Sequence, residues 1–201
     1  QIEDYMRLAT DHGFDIACHA IGDEANTIVL DAAERTGAHG SIEHAQMLKP
    51  ADIPRFAQLG LTASIQPQHA MDDRDVIARF WADPAGIPYA FRSLHDAGAK
   101  LRMGSDAPVA PLDPWMAISA AVFGTERSDR EPFQPEQCLD TRTALAASTA
   151  VGRDRPQSGD PADLVLLDAD PIVADSPEAM RGIATHVAMT MLAGGVTYMN
   201  L

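Results

Sequence analysis

Short apolar runs alternate with amphipathic helical segments through the first part of the chain. One helical segment has an apolar stripe from Ala25 to Ala33 and should end near Gly37. The apolar runs are too short for helices and end in polar residues, so they predict strands. These strands are expected at residues 14–19, 41–44, 61–65 and 100–104. Strands that alternate with helices predict βαβ units and a parallel sheet.

The number of strands indicates an incomplete barrel. A (β/α)8 TIM barrel has eight strands and about 250 residues, whereas this pattern predicts four strands before residue 110. The expected fold class is therefore α/β, with half of such a barrel. Further helices should begin at Pro88 and at the Asp113–Pro114 pair. A loop rich in Asp and Pro should span about 20 residues before Pro88, and loops of that length are often functional.

The last part of the chain changes from helical to alternating periodicity. A helix is expected over about Thr141–Ala150, followed by a turn at residues 159–161 and a strand at 164–167. From Val187 onwards the residues alternate with the two-residue period of a strand, and Gly194–Gly195 is typical of a hairpin turn. We therefore predict two units, a half-barrel over residues 1–158 and a small antiparallel β subdomain over 159–201.

Charge and composition exclude some partners. The 15 basic and 29 acidic side chains give a formal charge of −14, which argues against binding to nucleic acid or to an anionic membrane. Two cysteines, Cys18 and Cys138, are far apart and form no disulfide framework, so the reducing cytoplasm is the expected compartment. No apolar run approaches the roughly 20 residues that span a bilayer.

Polar residues that can bind a metal follow the predicted strands. His19, His44, His69 and Asp106 come where these strands end, and the carboxyl ends of parallel strands carry the functional groups of barrels. Imidazole and carboxylate are zinc ligands, and a catalytic zinc site keeps one position open for water. A single histidine after a strand is more often structural, but two histidines and one aspartate in successive units favour a metal site. His69 is a weaker candidate because it lies in the predicted loop.

An ordered set of motifs resembles the amidohydrolase superfamily, and most closely its YtcJ-like branch, also called amidohydrolase family 3. The resemblance extends from about residue 1 to the end, and the complete set is specific although each motif alone is not. The motifs are CHAIGDEA at 18–25, IEHAQ at 42–46, SIQP at 64–67, YAFRSL at 89–94, MGSDAPV at 103–109, PLDP at 111–114 and GDPADLVLLD at 159–168.

The resemblance implies a role for each candidate. His19 and His44 would follow barrel strands five and six and bind one metal ion together. Asp106 would follow strand eight, bind a second ion and act as the general base that transfers a proton from water to the leaving nitrogen. The implied cofactor is one or two divalent ions, expected to be zinc, and the substrate is a small molecule with an amide or formamide C–N bond. His69 and Arg92 are candidates for substrate binding.

The sequence departs from the family in one important respect. The family has a His-x-His pair on strand one and often a bridging lysine on strand four, but this sequence contains no His-x-His pair and its first strand already resembles strand five. We therefore expect the carboxy-terminal part of a longer hydrolase, with incomplete metal sites and no activity by itself. Two alternatives remain: a non-catalytic half-barrel that self-associates, and a part of a nucleobase-type deaminase.

Half a barrel should also associate. Its inner face would be lined by Ile16, Ile42, Ala63 and Ile65 or by their alternating neighbours. Exposed apolar surface and open strand edges favour association. The expected state is a homodimer or larger assembly, or a complex with the missing amino-terminal half.

Overall fold

The computed structural model describes residues 1–80 and 86–200 of the chain. Its helices are α1 (Ile2–Asp11), α2 (Asp23–Thr36), α3 (Ile53–Leu59), α4 (Pro67–Phe80), α5 (Phe91–Asp96), α6 (Pro114–Phe123), α7 (Thr141–Ala147) and α8 (Pro177–Gly182). Its strands are β1 (Ile16–Ala20), β2 (Gly40–His44), β3 (Met47–Leu48), β4 (Thr62–Ile65), β5 (Ile87–Pro88), β6 (Lys100–Met103), β7 (Leu164–Leu167), β8 (Val187–Leu192) and β9 (Gly195–Met199).

The centre of the fold is a four-stranded sheet in the order β1-β2-β4-β6. All of its neighbouring strands are parallel. The expected α/β class and the expected parallel sheet are confirmed, and each of these strands is followed by a helix. Because parallel strands share one direction, their carboxyl ends lie along a single edge of the sheet.

The two faces of this sheet differ sharply in polarity. Ile42, Ala63 and Ile65 are fully buried and belong to the same apolar core as Leu30 of α2 and Phe56 of α3. The alternating neighbours point away from the helices, as the two-residue period of a strand requires. They are only partly buried or exposed, and most are polar: Ala17, His19, Ser41, Glu43, Thr62, Ser64, Lys100 and Arg102. The expectation of an apolar open face is therefore wrong.

The segment after β4 also differs from its prediction. Residues predicted as a long loop form α4, with Ala70, Met71 and Ile77 buried on one side of the helix. Their spacing is helical, but the surrounding polar residues obscured it in the sequence. Residues 81–85, which the prediction included in the same loop, lie outside the described part.

The segment around Pro88 forms a small ribbon instead of the start of a helix. β5 pairs antiparallel with β3, and Met47 lies opposite Pro88. The following helix, α5, begins three residues later, at Phe91. By contrast, Asp113 caps α6 as predicted, since its side chain accepts a hydrogen bond from the Trp115 N–H.

The last part of the chain forms a separate antiparallel sheet in the order β7-β8-β9. The predicted hairpin is present, but its turn is Ala193–Gly194, because Gly195 already belongs to β9. α8 lies between β7 and β8 in sequence yet packs on α6, where the Ser119 hydroxyl donates to Pro177 O. The division at residue 159 therefore stays a prediction. Among the described residues, no helix is long and apolar enough to cross a membrane.

The start of the β1–β2 pairing provides a test of this fold. Gly40 has a φ of +135°, and a Cβ there would overlap Ile16 O of the paired strand. We expect Gly40→Ala to lower the free energy of unfolding by about 3 kcal/mol, because the clash is with backbone and the φ is strained.

The matched control is Gly37→Ala, at the end of α2. Gly37 also has a positive φ, of +68°, but an added Cβ would meet nothing within 4 Å. Only the strain remains there, about 1 kcal/mol. Urea denaturation measures both variants, and equal losses at the two positions would contradict the described β1–β2 contact.

Candidate metal centre

Four candidate side chains converge at the carboxyl edge of the parallel sheet. His19 and His44 lie at the ends of β1 and β2, His69 lies in the first turn of α4, and Asp106 follows β6. The ring centroids of His19 and His44 are 4.5 Å apart, with the rings edge to face. The rings of His44 and His69 are stacked with centroids 5.7 Å apart. His69 Nε2 is 3.4 Å from Asp106 Oδ2.

The backbone after β2 bends in a way that strand geometry alone would not produce. His44 and Ala45 have φ values of 73° and 44°. By strand alternation, His44 belongs to the same face as Ile42, which packs under the helices, whereas His19 belongs to the open face. The bend turns the His44 ring out of that alternation and against His19. Two consecutive non-glycine residues with positive φ cost about 1–3 kcal/mol each, and such strain is concentrated at functional sites.

A hydrogen-bonded network holds the residues beyond this bend. Gln46 O accepts from the Tyr89 N–H at 2.6 Å. The Gln46 amide nitrogen donates to Asp73 Oδ2 at 2.9 Å, and the Tyr89 hydroxyl donates to the same oxygen at 2.7 Å. Asp73 lies four residues after His69 on α4, and residues at this spacing lie on one side of a helix. The network therefore ties the helix that carries His69 to the bend that carries His44.

His44 has the properties of a metal ligand. It is only 9% exposed, and its Nδ1 has no hydrogen-bond partner among the described residues. Burial, and after it the charge of the neighbouring His19, lower the pKa of the His44 imidazole. The neutral form, which is the form that binds metals, is therefore favoured.

The donor set fits a divalent ion. One nitrogen each of His44 and His69 and one carboxylate oxygen of Asp106 lie within 4.8 Å of one another. Imidazole nitrogen and carboxylate oxygen together suit zinc and the neighbouring transition metals. The Asp106 carboxylate is 44% exposed, so the arrangement is open to solvent on one side.

The structure brings together three residues expected at a metal site, His19, His44 and Asp106, and adds His69. Sequence reasoning ranked His69 lower because its segment was predicted as a loop, whereas α4 buries it. Arg92 is placed differently: it lies on α5, and its Nε donates to Cys138 O. Asp73 was missed because nothing in the predicted loop distinguished it from the neighbouring aspartates.

The network gives a test at Tyr89. Burial, and then the hydrogen bond to Asp73, raise the pKa of the Tyr89 phenol far above its ordinary value of about 10. The folded chain therefore keeps this proton to a higher pH than the unfolded chain does, and this stabilisation is lost as the pH rises above about 10. We expect Tyr89→Phe to lower the unfolding free energy at pH 7 by about 2 kcal/mol.

Two measurements check the contribution of the buried Tyr89 hydroxyl. Tyr198→Phe is the control, since Tyr198 is half exposed and its replacement should change stability by less than about 0.5 kcal/mol. The difference in ultraviolet absorbance between the wild type and Tyr89→Phe isolates the Tyr89 phenolate during alkaline titration. The phenolate signal should appear only together with unfolding, and a signal from the folded chain would contradict the buried hydrogen bond.

Comparison with known sequences relates this geometry to a family. Residues 1–198 match the amidohydrolase family. The protein called YtcJ from Bacillus subtilis, by name an amidohydrolase, is 29% identical over 96% of this chain and 39% of its own length. The N-substituted formamide deformylase of Arthrobacter pascens is 27% identical over 86% of this chain and 35% of its own. Protein LONG AFTER FAR-RED 3 of Arabidopsis thaliana is 35% identical over 74% of this chain and 27% of its own.

A solved structure agrees with these matches. A metal-dependent hydrolase of Pyrococcus horikoshii superposes with a TM-score of 0.72 at 28% identity, over 92% of this chain and 39% of that one. The chain thus spans less than two fifths of the length of each of these relatives. The family match, the relatives and the superposition agree with the motifs in the sequence, and the chain belongs to the amidohydrolase family.

Proposed function

We propose that the chain is the carboxy-terminal part of a metal-dependent hydrolase that cleaves C–N bonds of the amide or formamide type. The convergence of His19, His44 and Asp106 at the carboxyl edge of the parallel sheet carries this proposal. The sheet would be the second half of a (β/α)8 barrel. The formamide deformylase among the relatives supports the C–N bond as the target.

Each residue has a role in this proposal. His19 and His44 would hold one divalent ion, expected to be zinc, and Asp106 would hold a second. A bound ion would polarise the scissile carbonyl and lower the pKa of water toward about 7. Asp106 takes a proton from water as the water oxygen forms a C–O bond to the carbonyl carbon, and it then delivers this proton to the nitrogen as the C–N bond breaks and the amine leaves. The Asp106 carboxylate is exposed, so both the water and the leaving nitrogen can reach it.

His69, the weaker metal-binding candidate in the sequence, adds to the donor set. Its contact with Asp106 and its stacking on His44 give the chain a third donor near His44. Open zinc sites have about three protein ligands, so the chain alone should retain measurable affinity for one ion. In the complete enzyme, His69 could instead contact the substrate, and the arrangement of the donors supports the ligand role more directly.

A cobalt titration tests the metal centre. We expect the 201-residue chain to bind Co²⁺ with a visible absorption typical of nitrogen and oxygen ligands. His44→Ala should weaken binding by more than about 100-fold, since even the outer partners of ligands contribute 10–100-fold. His12→Ala is the control, because His12 is exposed at the end of α1, where its ring nitrogen lies 2.9 Å from Leu8 O. Equal affinities of the two variants would contradict the proposed centre.

The exposed apolar residues near β1 indicate where a partner binds. The open sheet face is polar, but exposed apolar residues lie on α1 and on the segment leading into β1: Tyr5, Leu8 and Phe14. β1 is an edge strand in the described part of the chain. We propose that this edge binds the amino-terminal half of the same enzyme, with self-association as the alternative. Two free cysteines, Cys18 and Cys138, support a reducing compartment such as the cytoplasm.

The isolated chain should therefore be associated and inactive. Burial of apolar surface is worth about 25 cal/mol per Å², and salt screens the charge of −14 over about 8 Å. Sedimentation velocity at micromolar concentration should show a dimer or larger species, and zinc should restore no turnover of a simple N-acyl or N-formyl substrate. A stable monomer would contradict the surface argument. Steady turnover would show that the chain needs no further ligands.

A further inference from the structure

One fully buried polar side chain lies outside the proposed metal centre and contacts the segments that follow both of its strand-end histidines, His19 and His44. Asn26 is on α2 and is 0% exposed. Its side-chain nitrogen lies 2.9 Å from Gly22 O, 3.1 Å from Met47 O, 3.2 Å from Ala20 O and 3.4 Å from Ile21 O. An amide nitrogen has only two hydrogens, so its donors are shared among these carbonyls.

These carbonyls belong to the two segments that follow His19 and His44. Ala20 comes directly after His19, and Met47 lies three residues after His44. A further hydrogen bond, from the Met47 N–H to Ile21 O at 2.9 Å, joins the same two segments. Asn26 is thus hydrogen-bonded both to the segment that follows His19 and to the segment that follows His44.

The hydrogen bonds of the Asn26 side chain, which we call the Asn26 clamp, lie where strand pairing no longer constrains the backbone. The last paired residues of β1 and β2 are Ala20 and His44. At this pair and directly after it, His44 and Ala45 have positive φ values, a conformation that persists only where surrounding contacts hold it. Asn26 supplies such contacts from α2, and the Gln46–Asp73 network supplies others from α4.

The carbonyl oxygens around Asn26 require hydrogen-bond donors from its side chain. All four neighbouring atoms are carbonyl oxygens, and Asn26 Oδ1 has no partner among the described residues. A leucine of similar shape would leave buried carbonyls without donors, and an aspartate would add charge repulsion. The structure is therefore specific for N–H groups at this position and not simply for a side chain of that volume.

We propose that Asn26 is a positioning residue that holds His19 and His44 at the separation at which both can bind one metal ion. This inference rests on the function proposed above. It predicts that loss of the Asn26 donors lowers metal affinity beyond any general loss of stability.

The test compares Asn26→Leu with Leu30→Ala by Co²⁺ titration of the 201-residue chain. Leu30 lies one turn further along α2 and is equally buried, but it does not contact the strand ends through hydrogen bonds. Asn26→Leu should weaken Co²⁺ binding by at least about tenfold, as loss of an outer partner of a ligand does, and should alter the visible spectrum. Leu30→Ala should lower the melting temperature and leave affinity and spectrum near the wild-type values.

A measurement on the wild type covers the case in which Asn26→Leu does not fold. Hydrogen exchange at the Met47 N–H and at the Asn26 side-chain amide should slow when Zn²⁺ is added, because the clamp and the ion favour the same arrangement and the coupling is reciprocal. Tight His44-dependent binding with no change at these amides, or unchanged affinity in Asn26→Leu, would overturn the clamp and leave the metal centre intact. Absence of metal binding to the wild type would overturn the proposed function as well.

Discussion

The parallel register between β1 and β2 is the constraint on which the candidate site depends. Ala20 lies opposite His44, so the two histidine-bearing strands end together at the same edge of the sheet. Register alone would leave the two rings on opposite faces, because His19 and His44 differ in alternation. The bend at His44–Ala45 removes that difference. The site thus combines a rigid part, the sheet, with a strained part that is held by contacts from α2, α4 and β5.

The polarity of the open sheet face changes how the molecule can associate. Parallel sheets are normally apolar on both faces because helices cover them. Here the uncovered face carries Glu43, Lys100 and Arg102 among smaller polar residues, and little hydrophobic free energy would be gained by burying it. A polar lining suits the interior of a barrel near its functional mouth. The apolar surface that favours association lies instead beside β1, at the edge where the next strand of a barrel would pair.

The sequence was sufficient for those features that local pattern determines. The four central strands follow from short apolar runs, and the Asp113 cap follows from residue type and position. α4 was missed because its buried stripe, Ala70, Met71 and Ile77, is interrupted by Asp and Arg residues that resemble a loop. The Gly194–Gly195 turn was displaced by one residue, since Ala193 also adopts a positive φ.

The candidate site residues could be proposed from the sequence, but the contacts that support them could not. His19, His44 and Asp106 were identified because each follows a strand and because the motifs resemble a family. The contacts of Asn26 and Asp73 join segments that lie far apart in sequence, 21 residues apart for Asn26 and Met47. No local pattern predicts such pairs, because they depend on how helices pack over the strand ends.

Anomalous diffraction from crystals of the chain grown with zinc tests the central claim most directly. Data collected on both sides of the zinc absorption edge locate the ion without reference to activity. The account predicts an anomalous peak bound by His19 and His44, with His69 and Asp106 as neighbouring donors. A peak confined to another surface, such as the exposed His186–Asp168 pair, or a His44 ring turned toward the helices, would contradict it.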